Sequence, residues 1–293
     1  MYFMEKQQVS IVKSSGERVR FSKQKLHDSL KRSGADEDTI EQVISEVEPQ
    51  LFEGINTKKI FRMAFNLLKK RDRPIAAKYK LKEAIMELGP SGFPFEKYIS
   101  EILKQQGFKT TVGQIVQGNC VKHEIDVIAE KDEKHFMIEC KYHNTRGIIC
   151  NVKIPLYIQA RFKDIEINWK SLPGHAEKVH QGWVVTNTTF SEDAIQYGTC
   201  VGLNLIGWNF PKIGSLKEQI DDLGLYPITC LTTISMIEKQ KLLDKNIVLA
   251  VEILNNPQLL FSIGVGETRS ESILNETQLL CQKHIALNSS SLK

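Results

Sequence analysis

Three residues near the middle of the chain have types and spacing that suit one reaction. Asp126 is followed after twelve residues by Glu139, and after one more by Lys141. Two carboxylates held a few ångströms apart repel each other unless a cation lies between them. Mg²⁺, or Mn²⁺ in its place, takes oxygen ligands and keeps several waters. A metal-bound water can act as a nucleophile while the ion polarises a phosphoryl oxygen. The ammonium of Lys141 would orient that water or offset charge building on phosphorus. The trio therefore points to phosphodiester hydrolysis. A solvent-exposed hairpin carrying ordinary surface charges would spell the same letters, so the surroundings have to decide.

The elements that must position the trio are readable from alternation. Residues 121–142 form two strands, one around Glu124–Ile128 and one over His135–Lys141, joined by the charged turn Glu130–Lys134. Successive strand side chains point to opposite faces. Glu139 and Lys141 thus share a face, and Cys140 points into the other layer. Pairing about the turn brings Asp126 beside Glu139. The motif resembles the PD-(D/E)xK nucleases, here Ile125-Asp126 and Glu139-Cys140-Lys141.

Composition bounds the rest. A chain of 293 residues with 41% hydrophobic and 25% charged content is a globular protein with room for more than one domain. No apolar run approaches the length of a membrane span, and the N-terminus lacks the apolar core of a signal peptide. The six cysteines include no C-x-x-C pair, which argues against structural zinc and a disulfide framework and for a reducing cytoplasm. Net charge is +4, with the positive excess in residues 1–94, where 18 Lys and Arg face 13 Asp and Glu. An anionic partner is expected there.

Residues 9–21 alternate around a Ser-Ser-Gly turn and read as a hairpin. Ser22 caps a first helix, Asp36 a second and Thr57 a third, and Pro74 opens a fourth that runs to about Leu88. This layout resembles an ATP-cone, a nucleotide-sensing domain. The resemblance rests on Val12-Lys13-Ser14-Ser15-Gly16, Val19-Arg20-Phe21, Lys25, Ile55-Asn56-Thr57 and Lys78-Tyr79-Lys80-Leu81-Lys82. Ser14 and Ser15 depart from the Arg and Asp that the family prefers. The resemblance implies ATP or dATP as a regulatory ligand, with Lys13, Lys25, Lys78 and Lys82 facing its phosphates, the Gly16 turn approaching them, and Thr57 lining the site. No G-x-x-x-x-G-K-[ST] loop is present, so hydrolysis of that nucleotide is not implied.

Gly89-Pro90-Ser91-Gly92 breaks the chain, and a helix carrying Phe95-Glu96-Lys97-Tyr98 follows. That helix, a strand over 108–116, the hairpin, the helix around Leu156–Phe162, and strands over 181–186 and 203–208 resemble the Mrr-like branch of the restriction-endonuclease fold. The resemblance implies a mixed α/β sheet with covering helices and adds Glu96 and Gln159 to the site. Asp126, Glu139 and the Cys140 backbone carbonyl would then ligate the metal. Residues 213–293 read as helical, with Ile263-Gly264-Val265 resembling a helix-hairpin-helix turn, and the tail 288–293 reads as disordered.

The expectation is an α/β protein of several domains. An ATP-cone spans 1–90, a nuclease domain 91–212 and a helical domain 213–293. Its function is that of a nucleotide-regulated, Mg²⁺-dependent DNA endonuclease of restriction and anti-phage defence, a cytoplasmic homo-oligomer with no membrane association. A nucleotide-responsive DNA-binding regulator, or a repair or junction-processing protein, is the alternative.

Overall fold

The computed structural model describes residues 9–13, 15–173 and 179–290. Three features of the sequence reading therefore lie outside the described residues: the N-terminal octapeptide, Ser14 and the last three tail residues.

The first unit opens with β1 (Ser10–Val12) and β2 (Arg18–Arg20), then α1 (Lys23–Arg32), α2 (Glu37–Val47), β3 (Ile55–Asn56), α3 (Thr57–Arg71), α4 (Arg73–Tyr79) and α5 (Leu81–Met86). Its helices start where side-chain oxygens are available. Ser22 accepts from the Lys25 amide, Asp36 from that of Thr39, and Asp72 from that of Ile75. Two expectations change here. The cap of α3 is Asn56, which accepts from the Lys58 amide, and Thr57 is the first helical residue. The fourth helix is two helices, broken at Lys80. A third strand also went unread: β3 pairs parallel to β1, making a three-stranded sheet with β2. Two residues are too short for a periodic signal. Ile40, Val43, Ile44, Val47, Ala64 and Leu68 fill a core under this sheet.

The second unit comprises α6 (Phe93–Gln105), β4 (Lys109–Gln117), β5 (Lys122–Lys131), β6 (Lys134–Lys141), β7 (Ile149–Cys150), α7 (Lys153–Ser171), β8 (Val179–Thr186), β9 (Thr189–Phe190), α8 (Glu192–Cys200) and β10 (Asn204–Ile206). Five strands form one sheet in the order β10-β8-β6-β5-β4. β4 pairs antiparallel with β5 and β5 with β6, whereas β6, β8 and β10 run parallel. The β5–β6 turn is tighter than its five charged residues suggested. Only Asp132 and Glu133 lie outside the strands, and both adopt positive φ (50° and 59°), as a two-residue hairpin of type I′ requires. One face of the sheet buries Val127, Ile138 and Cys140 against α6. The other buries Met137 and Val184 against Ile158, Phe162 and Ile165 of α7.

The third unit holds α9 (Leu216–Leu223), α10 (Met236–Asp244), α11 (Val251–Asn255), α12 (Gln258–Phe261), α13 (Glu267–Leu280) and α14 (Gln282–Ser290). Reciprocal capping boxes, Ser215 with Glu218 and Ser235 with Glu238, start α9 and α10. These helices share one continuous core with α5, α6 and a face of the sheet. Tyr98 of α6 donates to the Leu225 carbonyl at 2.6 Å, and Thr229 donates to that of Ala84, also at 2.6 Å. Asn288–Ser290, expected to be disordered, continue α14. No helix among the described residues is long and apolar enough to cross a membrane.

Candidate active site

The hairpin positions its acids at the point where the two strands part. Recorded pairing of β5 with β6 ends at Val127–Ile138, so Asp126 and Glu139 stand one step beyond the last rung. There the Asp126 carboxylate accepts the Cys140 amide at 2.7 Å, replacing the ladder bond that a closed hairpin would make. Glu139 is buried, and both its oxygens meet cations. Lys141 Nζ is 2.5 Å from one, and Arg161 Nη1 of α7 is 2.6 Å from the other. Arg161 also donates to the Glu124 carbonyl, so its guanidinium bridges the two strands.

The electrostatics are those of crowded carboxylates. Burial pushes the Asp126 carboxyl up to about 6, the Glu139 charge adds to this, and the Cys140 amide and the Lys141 and Arg161 charges oppose it. Glu96, in the first turn of α6, is pushed up to about 7, first by burial and then by Asp126, Glu124 and Glu139. Glu96 therefore lies in the field of the same acids. The Cys140 thiol is buried in the opposite layer and is held far into its neutral form by desolvation.

Gln159 lies on α7 two residues before Arg161, and its Oε1 is buried without a hydrogen-bond partner among the described residues. An orphaned buried acceptor costs about 1–3 kcal/mol, which a donor such as a metal-bound water would recover. Arg161 was missed by sequence reading. Spacing gave no signal for it: two positions past Gln159 on a helix is nearly the opposite side, and only the packing of α7 against the sheet brings Arg161 to Glu139.

Among the described residues, no group of three or more His, Cys, Asp or Glu side chains gathers as a metal cage. The residues that could hold a metal here are fewer: two carboxylates, with the Cys140 carbonyl expected beside them. That set suits Mg²⁺, which is commonly bound through one or two carboxylates and otherwise hydrated. The mutual repulsion of Asp126 and Glu139 and the orphaned Gln159 oxygen both fit a cation with its waters.

The residues expected to hold a nucleotide divide between two cavities. Lys13, Lys25 and Thr57 line one of about 230 Å³, with Ile11, Val19, Phe21 and Leu26 supplying apolar wall. Lys78 and Lys82 line a different one, with Arg32, Trp208 and Lys217. Gly16 lines neither; at φ +86° its amide donates to the Lys13 carbonyl at 2.9 Å and closes the hairpin turn.

Comparison with known proteins bears on the domains that carry these residues. Residues 9–84 match the ATP cone domain, 89–209 the restriction endonuclease family, and 226–281 the AF1548-like C-terminal family. An uncharacterized protein of Archaeoglobus fulgidus is 35% identical over 184 residues, which is 61% of this chain and 98% of that protein. The chain belongs to the AF1548-like family. The crystal structure of AF1548 itself, a protein of unknown function, is 33% identical with a TM-score of 0.54, covering 66% of this chain and 99% of that one. The AF1548-like chain described here therefore fuses an ATP cone to a restriction-endonuclease domain, as its motifs led us to expect. Can2 from Sulfobacillus thermosulfidooxidans, solved with cyclic tetra-adenylate, aligns at 14% identity and a TM-score of 0.33, too slight a likeness to argue from.

Proposed function

We propose that this protein is a divalent-metal-dependent DNA endonuclease whose cleavage is governed by an adenine nucleotide on its N-terminal domain. The observation that carries the reading is the pair Asp126 and Glu139 at the fork of one hairpin, with Lys141 touching Glu139. Asp126, Glu139 and the Cys140 carbonyl would hold Mg²⁺ or Mn²⁺. The ion would supply an activated water and charge neutralisation at phosphorus. Lys141 would place a proton donor beside the reacting phosphate. Glu96 and Gln159 would hold waters, and Arg161 would keep Glu139 oriented.

The nucleotide, ATP or dATP, would sit in the cavity lined by Lys13, Lys25 and Thr57. The chain divides for these tasks near residues 90 and 212. Cutting both strands of a duplex needs two such sites, which supports a homo-oligomer. The match to restriction endonucleases supports a role in restriction of foreign DNA. One observation favours a nucleotide-responsive DNA-binding regulator instead: Glu139 is engaged by two cations and carries no free oxygen as the chain stands.

Supercoiled plasmid incubated with the protein and Mg²⁺ or Mn²⁺, with and without ATP or dATP, separates the two readings. Metal-dependent nicking that Asp126→Asn abolishes supports the enzyme. Retarded but intact plasmid under every condition supports the regulator.

A further inference from the structure

Lys78 and Lys82 lie in a cavity that the nuclease reading does not use. It encloses about 350 Å³ where the end of α1, the α4–α5 break and the segment from Trp208 to Asp221 meet. Arg32, Lys78, Lys82 and Lys217 line it, against one carboxylate, Asp221. None of these four cations forms an ion pair among the described residues. Aromatic rings hold two of them in place. Lys82 Nζ stands 5.0 Å from the centroid of Trp208, and Lys78 Nζ 5.8 Å from that of Tyr226. Such contacts orient an ammonium but do not neutralise it.

A half-buried ammonium without a counter-ion is costly. Burial, with the nearby Arg146 charge, lowers Lys82 to about 8. Burial also lowers Lys217, where Asp221 pulls the other way. Four cations thus face one carboxylate, and Asp221 offsets the positive charge of the concavity only in part. Its floor is shared with the neighbouring cavity, because Ser29 and Tyr79 line both.

We propose that this cavity is a second anion site, distinct from the nucleotide cavity, that takes the polyphosphate chain of a small soluble ligand. A half-open concavity of about 350 Å³ has room for a phosphate chain with or without a nucleoside. Because its walls come from three separated segments, an occupant ties the first unit to the other two. The proposal does not depend on cleavage, and its test reads binding alone.

The test is calorimetric titration of the full chain with inorganic tripolyphosphate and, separately, with ATP. In a Lys13→Gln/Lys25→Gln variant, saturable tripolyphosphate binding persists. In a Lys82→Gln/Lys217→Gln variant, it weakens at least tenfold, and ATP stoichiometry falls from two per chain to one. Equal affinity for tripolyphosphate and ATP at the remaining site of the first variant identifies an inorganic chain as sufficient. Tighter ATP binding there identifies a nucleotide. Either supports the site. Tripolyphosphate binding within twofold of wild type in Lys82→Gln/Lys217→Gln overturns it. Arg32→Gln and Lys217→Gln, made singly, cover the case in which the Lys82 change prevents folding. Each is expected to weaken binding several-fold, and no change in both overturns the proposal.

Discussion

The hairpin site and the cavity proposed for a nucleotide differ in how far spacing along the chain fixes them. The acids of the hairpin lie on two strands joined by a two-residue turn, so spacing sets them near each other, although Arg161 reaches Glu139 from α7. The nucleotide cavity draws walls from β1, β2, α1, α3 and α4, and no spacing in the chain fixes how those elements converge. Lys13, Lys25 and Thr57 meet there, whereas Lys78 and Lys82, only 21 to 25 residues beyond Thr57, face another space. Local pairing fixes which side chains are neighbours, and assembly across elements is not fixed by spacing.

The sharpest way to break that contrast is at Lys141. Lys141→Ala should lower metal-dependent cleavage by roughly 10²–10³-fold, the usual cost of removing one preorganised donor. Thermal unfolding should stay close to wild type, since Lys141 is partly exposed. Plasmid nicking rates measure the first, and calorimetry the second. Cleavage at the wild-type rate would leave the hairpin as ordinary surface charge.

Arg161 sharpens the contrast from the other direction, because it joins the site from α7 across sequence. Its side chain and that of Glu139 are only 12% and 7% exposed. Removing one partner of a buried pair costs roughly 3–5 kcal/mol. Arg161→Ala should therefore destabilise the protein by about 3 kcal/mol at neutral pH. Mg²⁺ should recover part of that loss in the variant, since the ion offers Glu139 a substitute charge. An unchanged melting temperature would mean that the Arg161–Glu139 contact contributes nothing.

The same division explains what sequence reading reached. The mixed sheet and its covering helices were legible through the resemblance to the restriction-endonuclease fold, and the β5–β6 hairpin through alternation about one tight turn. The strands β3, β7 and β9 were not, because each has only two residues. The helix break at Lys80 escaped because no Pro or Gly marks it. Arg161 was read as part of a helix and given no task, since its partner is 22 residues away and only the packing of α7 on the sheet brings them together.

The nucleotide cavity gives a third test. Lys13→Gln and Lys25→Gln should each weaken ATP binding about tenfold, which corresponds to about 1.4 kcal/mol. Gly16→Ala should leave affinity unchanged while costing about 1–2 kcal/mol of stability, because φ +86° disfavours a side chain. Titration calorimetry and unfolding separate the two effects. Affinity loss in Gly16→Ala would restore the expected phosphate contact at the turn.

The smallest effect concerns how β5, the strand that carries Asp126, is anchored. Asp164 of α7 accepts from His123 Nε2 at 2.7 Å and from the Cys120 amide at 2.8 Å, pinning the entry to β5 four residues before Asp126 closes on Cys140. The hydrogen bond from His123 leads in holding the Asp164 carboxyl at about 2, below its ordinary 3.8, with the Cys120 and Val121 amides assisting. A depressed carboxyl contributes stability above its unfolded value and loses it as pH falls through the folded one. Asp164→Asn should thus lower the melting temperature slightly at pH 7. The gap from wild type should hold down to about pH 4 and close between pH 4 and pH 2. Because other acids titrate in both proteins alike, the difference between the two curves isolates Asp164. A gap that stayed constant to pH 2 would show that the anchor acts through shape and not through charge. The start of β5 would then be fixed by packing, as the nucleotide cavity is, and the line drawn between the two sites would move.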